Sequence, residues 1–488
     1  MSTSVPSRPL PSLVYAQVSP KSRGGRSLFE YDSITADSSL AIVSEPQVIT
    51  DTVNQLRRMG FQILQVSDTT INIAGAPDLY QDVFDCRLTT EPHALRPEQR
   101  DGDDGKFVEC LHARRPGLIE IASTSSDLDL IEGVAIEEPR LLFESAFPPS
   151  VGYWHLSVPD RVRTGCNADL AHRNAYDGRG VRVAMVDTGF YDHAFFRHRH
   201  YPVAPVVLGP GAARPEEDEV GHGTAMAANL FSIAPRAELT MVKMSHVNTT
   251  AAFNVAASGS YDIISCGWGG DKKSGVLSGA DSVLASAIAR ATGKNTVVVF
   301  AAGNGDFGFP AQHPDVISVG GAYLDEQGAV QASDYASGFE SKIYPGRRVP
   351  DLAGLVGLMP RAAYLMLPVP PGSRIDRERH HGGAAPPDGD GTAPDDGWAV
   401  LGGTSAAAPQ VAGACALLKQ VYSPMLPSEV KRFLTDHARN VAQGQGHDRK
   451  GMNNLAMQDR PDLATGGGLL DAGQSTAAAA YAYKSIRF

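Results

Sequence analysis

The octet GGTSAAAP at residues 402–409 opens an Ala-rich helical pattern and places Ser405 in the first turn of that pattern. Backbone N–H groups and the positive end of the helix dipole could stabilise an oxyanion there. The two preceding glycines allow a second chain to approach closely. The octet therefore suggests a nucleophile, although Thr404 or Ser405 could instead serve only as the cap of the helix.

A serine hydroxyl becomes a good nucleophile when a base takes its proton, and a histidine base needs an acid that fixes its tautomer. His222 lies between glycines in VGHGTAMAANLF, ahead of an apolar helical pattern. Asp187 ends VRVAMVDTG, an unbroken apolar run typical of a buried parallel strand. Alone, each could be a loop or capping residue. In the chain order Asp, His, Ser, with Ser405 as the third member, they predict a catalytic set.

Asn304 closes another apolar run, TVVVFAAGN. Its amide could donate to the oxygen that becomes negative when Ser405 attacks a carbonyl. A turn role is the alternative, because Gly-Asn-Gly is good turn chemistry. The oxyanion role is favoured because the acid, the base and the nucleophile are all present.

DTG with Asp187, GHGT with His222, AAGN with Asn304 and GTSAAAP with Ser405 resemble the four signature blocks of the subtilisin-like serine peptidases, or subtilases. The resemblance implies a self-processing serine endopeptidase made as a zymogen. In such an enzyme Asp187 orients His222, which acts as general base and then as general acid. Ser405 is the nucleophile, and Asn304 binds the oxyanion together with the backbone N–H of Ser405.

The resemblance runs from about Trp154 to Ala472 and includes DIISCGWGG, which resembles the segment that pairs with a bound peptide. It implies peptide or protein substrates and no required cofactor. Peptide-binding roles are implied for Ser265, Cys266, Gly267, Trp268, Gly269, Ala301, Ala302 and Gly303.

Two features depart from the family pattern. Ala406 stands where the family usually has methionine, and GDFGFPAQHPDVISVGG reaches the next proline-containing turn sooner than in most relatives. That segment normally helps to wall the pocket for the residue before the cut bond. Phe307 or Phe309 could reshape this pocket, or both could belong to the local core.

Three alternatives compete with hydrolysis by a subtilase. The sedolisins share the fold but use a glutamate base and an aspartate oxyanion donor, so His222 and Asn304 disfavour that class and favour activity at neutral to alkaline pH. A peptide ligase or macrocyclase would release the same acyl-enzyme to an amine. A peptide-binding pseudoenzyme would lack a member of the catalytic set, and none is lacking.

The predicted fold is α/β, with a mostly parallel, doubly wound, subtilisin-like sheet at residues 151–488. Apolar runs such as VRVAMVD, ELTMVKM and TVVVFAA alternate with helical patterns, which predicts a sheet covered on both faces. Such sheets place their sites at the carboxyl ends of the strands.

A small α+β, prodomain-like domain is predicted at residues 36–150, after a flexible Ser/Pro/Gly-rich leader at residues 1–35. DTVNQLRRMG has helical periodicity, and FQILQVS and TTINIAG alternate like paired strands. A subtilase prodomain resembles a chaperone and inhibitor whose tail lies in the cleft, so this domain is a candidate intramolecular inhibitor. A permanent accessory domain that recruits substrates is the alternative.

Residues 369–399 are rich in Pro, Gly and charge and predict a loop insertion. Many relatives bind calcium, but the acidic residues here lack the alternating ligand run and closing glutamate of an EF-hand. A solvated loop without a metal is therefore expected. The side chains in this segment that could bind a metal ion are His380, His381, Asp388, Asp390, Asp395 and Asp396.

Charge, hydropathy and cysteine content limit the classes of partner and the cellular location that are expected. The 488-residue chain carries a formal net charge of -11, which disfavours nucleic acid. No apolar stretch is long enough to span a membrane. The five cysteines are odd in number and show no zinc spacing, so reduced thiols are expected. The polar, Pro-broken start does not resemble a secretory signal, which favours a cytoplasmic location or non-classical export.

Overall fold

The protein is described by a computed structural model that covers residues 9–93, 105–111, 113, 115–121, 128–142, 155–358, 365–381, 389–448, 451–455 and 462–483. An N-terminal unit precedes a larger α/β unit. The N-terminal elements are β1 (Val14–Pro20), α1 (Pro46–Met59), β2 (Gln62–Val66), β3 (Ile71–Gly75), α2 (Pro77–Phe84), β4 (Leu88–His93), β5 (Gly105–Cys110), β6 (Leu118–Ile119), β7 (Ile131–Ile136) and β8 (Leu141–Leu142), with short 3₁₀ turns at Leu28–Glu30 and Ala36–Ser38.

The N-terminal unit is built on a five-stranded antiparallel sheet in the order β2-β3-β1-β7-β6. Helix α1 begins at Pro46, whose missing N–H costs nothing at a helix start, and ends at Gly60 with φ +102°. Helices α1 and α2 pack on one face of the sheet through Leu56, Tyr80 and Phe84. The helices and paired strands predicted for residues 36–150 are thus observed.

The predicted flexible leader at residues 1–35 needs a correction, because β1 lies inside it and occupies the centre of the sheet. Val14, Ala16 and Val18 alternate toward the helices and are buried. The prolines and serines around this run hid its period of two. Residues 1–8 of the leader lie outside the described part of the chain.

The α/β unit carries the remaining elements, which are β9 (Leu156–Ser157), α3 (Asp160–Gly165), α4 (Ala168–Arg173), β10 (Arg182–Asp187), α5 (Ala194–Arg199), β11 (Val207–Leu208), α6 (His222–Ile233), β12 (Glu238–Lys243), α7 (Thr249–Ser258), β13 (Ile263–Cys266), β14 (Trp268–Asp271), α8 (Gly279–Gly293), β15 (Val297–Ala301), β16 (Gly308–Phe309), β17 (Ile317–Leu324), β18 (Val330–Ala332), β19 (Phe339–Glu340), β20 (Arg348–Val349), β21 (Leu352–Leu355), β22 (Leu365–Pro368), α9 (Arg374–His381), β23 (Trp398–Leu401), α10 (Thr404–Val421), α11 (Pro427–Asp436), β24 (Gln445–Asp448), β25 (Gly451–Leu455) and α12 (Ala472–Tyr483).

The central sheet has eight strands in the order β11-β12-β10-β13-β15-β17-β18, with β21 also paired to β17. All of its pairings are parallel except that of β17 with β18. Alternation along β10 assigns the two faces, because Val183 and Met185 join the core under α6 and α10 while Ala184 and Val186 join the core under α7 and α8. The predicted doubly wound α/β fold is confirmed.

The N-terminal sheet lies against helices α7 and α8 of the α/β unit. Asn72 of β3 exchanges side-chain hydrogen bonds with Asn248 at 3.0 Å in each direction, directly before α7. Arg290 of α8 lies 2.6 Å from a carboxylate oxygen of Asp68. The asparagine pair is fully buried, and buried polar pairs fix the relative position of two surfaces as well as adding stability.

The predicted loop insertion at residues 369–399 contains a helix, α9. Its sequence RIDRERHH has one apolar residue, Ile375, which is fully buried, and so little periodicity shows in the sequence. Asp376 supports the helix start, since its Oδ2 accepts hydrogen bonds from the backbone N–H of Gly372 at 2.8 Å and of Gly397 at 3.3 Å. Residues 382–388, which include Asp388, lie outside the described residues.

Within the described ranges, no helix combines the length and apolar character that crossing a bilayer requires. The five cysteines are free thiols, with Cys166, Cys266 and Cys415 buried. Burial raises the pKa of Cys166 to about 12. This thiol is therefore protonated and unreactive at neutral pH.

Candidate active site

Asp187 and His222 meet at the carboxyl end of the central sheet. Asp187 is the last residue of β10, His222 is the first residue of α6, and both are fully buried. The Nδ1 of His222 lies 2.7 Å from Oδ1 of Asp187, which also accepts the backbone N–H of Thr188 at 2.7 Å. An imidazole that donates through Nδ1 carries its basic lone pair on Nε2.

Glycine at position 223 allows α6 to start this close to β10. A Cβ on Gly223 would lie 2.2 Å from the carbonyl oxygen of Gly189 and 3.2 Å from Cβ of Asp187. Any side chain there would push the helix away from the strand end. The GHGT block thus sets the distance between Asp187 and His222.

Asp218 ties the Asp187 turn to the start of α6. It is 2% exposed, and its Oδ1 accepts the hydroxyl of Thr188 at 2.7 Å and the N–H of Gly221 at 2.9 Å. Its Oδ2 accepts both the hydroxyl and the N–H of Thr224, at 2.7 and 2.9 Å. Sequence reasoning missed this residue, because the surrounding PEEDE reads as a solvated acidic run.

Ser405 is the second residue of α10, as predicted from the octet, and is fully buried. The helix is entered through Gly403 at φ +99°, a conformation that favours glycine. The hydroxyl is thus carried at a helix N-terminus, where backbone N–H groups and the dipole favour negative charge.

Gly267 brings Ser405 and His222 together. A Cβ on Gly267 would lie 2.9 Å from Cβ of Ser405 and 3.2 Å from Cε1 of His222. Both side chains therefore border the same glycine, between β13 and β14. His222 thus contacts Asp187 and borders the same glycine as Ser405.

Asn304 is anchored to Thr404, the residue before Ser405. Its Oδ1 accepts the backbone N–H of Thr404 at 2.9 Å and the hydroxyl of Thr404 at 3.2 Å. The hydroxyl of Thr404 in turn accepts the N–H of Gly303 at 3.1 Å. Because the amide is held through its oxygen, its N–H donors are the part that could stabilise an oxyanion near Ser405.

The predicted peptide-binding residues fall into two groups. Ser265 and Cys266 lie in β13, and their backbones pair with β10 and β15 inside the central sheet. Ala301 likewise ends β15, and Ala302 and Gly303 follow it toward Asn304. Gly267, Trp268 and Gly269 leave the central sheet and form the edge at which another strand is paired.

Strand β8 of the N-terminal unit occupies that edge. It pairs antiparallel with β14, with Leu142 opposite Trp268 and Leu141 opposite Gly269. Trp268 is fully buried and donates from Nε1 to the carbonyl oxygen of Val186 at 2.8 Å. An extended segment of the N-terminal unit thus pairs directly beside Gly267, which borders both Ser405 and His222.

The two phenylalanines after Asn304 are buried. Phe307 packs edge-on against Phe339 at 5.0 Å between ring centroids, in a cluster with Ala302. Phe309 pairs with Gly270 as part of β16 and is fully buried. Local core packing therefore describes both side chains, and Phe307 alone of the two shares a cluster with a predicted peptide-binding residue.

Two acidic residues of the insertion, Asp390 and Asp396, support its loops. Oδ2 of Asp390 accepts the N–H of Val400 at 2.9 Å, and Oδ1 of Asp396 accepts the N–H of Trp398 at 2.9 Å. Among the described residues, no three His, Cys, Asp or Glu side chains are grouped as metal ligands would be.

Comparisons with known proteins decide the family. The model of the subtilase family matches residues 178–454, which is more than half of the chain. The chain belongs to the subtilase family. It is a subtilisin-like serine endopeptidase by this membership, and the family expected from the four signature blocks is confirmed.

Two curated subtilases illustrate the range of relatives. Alkaline elastase YaB of Bacillus sp. (strain YaB) is 26% identical over 345 residues, which cover 66% of this chain and 77% of the elastase. The membrane-bound transcription factor site-1 protease of Homo sapiens is 26% identical over 337 residues, covering 62% of this chain and 28% of that protease.

A solved subtilase supports the fold. Fervidolysin from Fervidobacterium pennivorans, described as a keratinolytic enzyme related to subtilisin, aligns with a TM-score of 0.57 and 14% identity. The alignment covers 95% of this chain and 61% of fervidolysin. The likeness therefore includes the N-terminal unit as well as the subtilase domain.

Proposed function

We propose that this subtilase hydrolyses peptide bonds through an acyl-enzyme on Ser405, with Asp187 and His222 completing the triad. The observation that carries the proposal is the position of His222, which contacts Asp187 at 2.7 Å and borders Gly267 together with Ser405. This is the geometry that a base needs to serve both partners.

In the proposed reaction, Ser405 Oγ attacks the carbonyl carbon of the peptide bond as His222 Nε2 takes the hydroxyl proton. The resulting oxyanion is stabilised by the Asn304 amide and the Ser405 backbone N–H, each such donor typically contributing about 10²–10³ in rate. The intermediate collapses, and His222 gives its proton to the departing amine. Water then attacks the ester, again with His222 as base, and releases the acid.

The N-terminal unit is proposed to be an intramolecular inhibitor that the enzyme removes by self-processing. The support is the pairing of β8 with β14, because an extended strand at this edge competes with any substrate for the same backbone groups. Since Leu142 lies opposite Trp268, next to Gly267, a cut shortly after β8 is expected. The position of β8 favours this role over a permanent recruiting domain.

A fluorophosphonate probe tests the catalytic proposal. The probe should label the purified protein on Ser405, and Ser405→Ala should abolish the label. Ser423→Ala, at an exposed serine after α10, is the matched control and should label like wild type. A wild-type protein that stays unlabelled after losing its N-terminal unit would contradict the proposed enzyme and favour a peptide-binding role.

Intact mass spectrometry tests self-processing. Wild type should lose a fragment that ends soon after Leu142, and Ser405→Ala should remain full length. Processing of Ser405→Ala at the same rate as wild type would assign the cut to another protease. Incubation of active, probe-free protein with a substrate peptide and a second peptide that bears a free amine distinguishes hydrolysis from ligation, since a ligase would give joined products.

A further inference from the structure

The N-terminal unit places an arginine side chain in the substrate cleft. Arg140 directly precedes β8, in which Leu142 pairs with Trp268. The Arg140 side chain is 3% exposed, and its Nη1 lies 2.8 Å from Oδ1 of Asp281 in α8, which is 4% exposed. A buried ion pair thus joins the strand in the cleft to the subtilase domain.

The subtilase domain is shaped around this guanidinium. A Cβ on Gly270 would lie 2.8 Å from Nη1 of Arg140, so the guanidinium rests against the bare backbone of β14. The N–H of Asp281 donates to Oγ of Ser278 at 3.0 Å in the first turn of α8. This bond caps the helix, and the helix N-terminus favours the negative charge of the Asp281 carboxylate.

The other carboxylate beside Arg140 belongs to the N-terminal unit. Oε2 of Glu138 lies 3.8 Å from Nη2 of Arg140. Burial and the neighbouring Asp281 raise the pKa of Glu138 to about 7. When an outside peptide replaces β8, Glu138 leaves with the N-terminal unit and Asp281 stays. A carboxylate in this pocket without a cationic partner is costly, so the pocket discriminates against uncharged side chains.

We infer that Asp281 selects arginine in the peptide substrates of this enzyme, at the position that Arg140 holds, two residues before the residue that pairs with Trp268. The inference rests on the proposed function, because it deepens the description of the same cleft. Arginine fits better than lysine, since its planar, multidentate guanidinium can lie against the backbone of Gly270 while it pairs with the carboxylate.

A competition assay on the full chain tests the selection. A peptide copying residues 136–150 and its analogue with norleucine in place of Arg140 are mixed in equal amounts with enzyme, and initial rates are followed by mass spectrometry. The ratio of the two initial rates equals the ratio of kcat/KM for the two peptides. It is independent of how much of the enzyme is active. Ser405→Ala is the blank.

Wild type should cut the arginine peptide at least about tenfold faster than the norleucine peptide, as expected for one buried charge pair. In Asp281→Asn the ratio should fall to within about twofold of one, since the charge is lost. Glu326→Gln, which removes one exposed negative charge between β17 and β18, should keep the wild-type ratio. A wild-type ratio near one would overturn the inference.

Self-processing provides a second readout for the case in which β8 keeps peptides out. Arg140→Met and Asp281→Asn should each slow the release of the N-terminal fragment by about tenfold or more, and the double variant should be no slower than the slower single variant. Multiplicative effects, or an unchanged rate in Arg140→Met, would overturn the inference.

Different results would contradict the proposed catalysis by Ser405 and the proposed role of Asp281. A protein that the fluorophosphonate does not label contradicts the proposed catalysis. A protein that is labelled on Ser405 but shows no arginine preference in either assay contradicts the role of Asp281 alone. A labelled protein that cuts neither its own tail nor either peptide also overturns the inference.

Discussion

Gly267 touches Ser405 so closely that a methyl group on its Cα would lie 2.9 Å from the serine Cβ. That distance is shorter than a normal van der Waals contact. The glycine is thus a spacer that sets how near β14 comes to α10. His222, whose Cε1 lies 3.2 Å from the same point, shares this spacing.

Gly267→Ala should lower kcat/KM by about 10²-fold, because the added methyl displaces Ser405 or His222 by a few tenths of an ångström or more. Steady-state kinetics on a peptide substrate measure the loss. Gly293→Ala, at the end of α8, adds the same methyl 3.1 Å from Oγ of Ser39 and is the matched control. Wild-type kcat/KM in Gly267→Ala would contradict the proposed arrangement.

Asp187→Asn should lower kcat by about 10³–10⁴-fold while leaving the fold intact. An asparagine keeps the shape but loses the charge that orients the His222 ring and stabilises its protonated form. Kinetics and thermal unfolding, measured together, separate catalysis from stability. Asp192→Asn, at an exposed position after the same strand, should retain wild-type kcat.

Asp218→Asn should lower kcat by about 10-fold or more with little change in KM, because Asp218 positions the Asp187 turn against α6. An asparagine cannot accept the hydroxyl and N–H of Thr224 on its amide nitrogen, so unfolding should also become easier by about 1–3 kcal/mol. Glu216→Gln, at the exposed neighbour, should change neither quantity. A loss of stability without a loss of kcat would assign Asp218 a purely structural role.

His313 should make the full chain sensitive to acid. It is fully buried, its Nε2 donates to the carbonyl oxygen of Ile34 at 2.7 Å, and its Nδ1 accepts the N–H of Asp315 at 3.2 Å. The second contact requires the neutral ring, because a protonated Nδ1 cannot accept a hydrogen bond. Burial lowers the pKa of His313 to about 3, and the nearby cations Arg347 and Lys431 add to the effect.

Because the pKa of His313 in the folded chain is below its unfolded value of about 6.5, its stabilising effect is complete above pH 6.5 and is lost as the pH falls from 6.5 toward 3. Thermal unfolding of Ser405→Ala, which should stay uncut, should therefore occur at lower temperature as the pH drops through this window. Adding His313→Gln should flatten the dependence. The same slope in both proteins would contradict the assignment.

Much of the fold could be predicted from the sequence because buried parallel strands are continuous apolar runs. The runs that end at Asp187 and near Asn304 are strands β10 and β15, and the octet around Ser405 starts α10. The residue types at the ends of these strands and at the start of α10 were enough to predict the candidate site. Strand β1 and helix α9 escaped detection because prolines, serines or charges dominate their surroundings.

Long-range relationships could not be predicted, because they depend on contacts between distant segments. Asp218 looks like one of several surface acids, yet folding buries it between a strand end and a helix start. Arg140 and Asp281 are 141 positions apart, and no local pattern pairs them. Only the packing of the N-terminal unit against α8 reveals that pair.

The central place of β1 in the N-terminal sheet has a consequence for biosynthesis. Its partner β7 ends at Ile136, so the sheet cannot close until the ribosome has delivered that strand. The subtilase sheet begins later, with β10 at Arg182. During synthesis, every strand of the N-terminal sheet therefore leaves the ribosome before helices α7 and α8, so this sheet can fold first and offer a surface on which they pack.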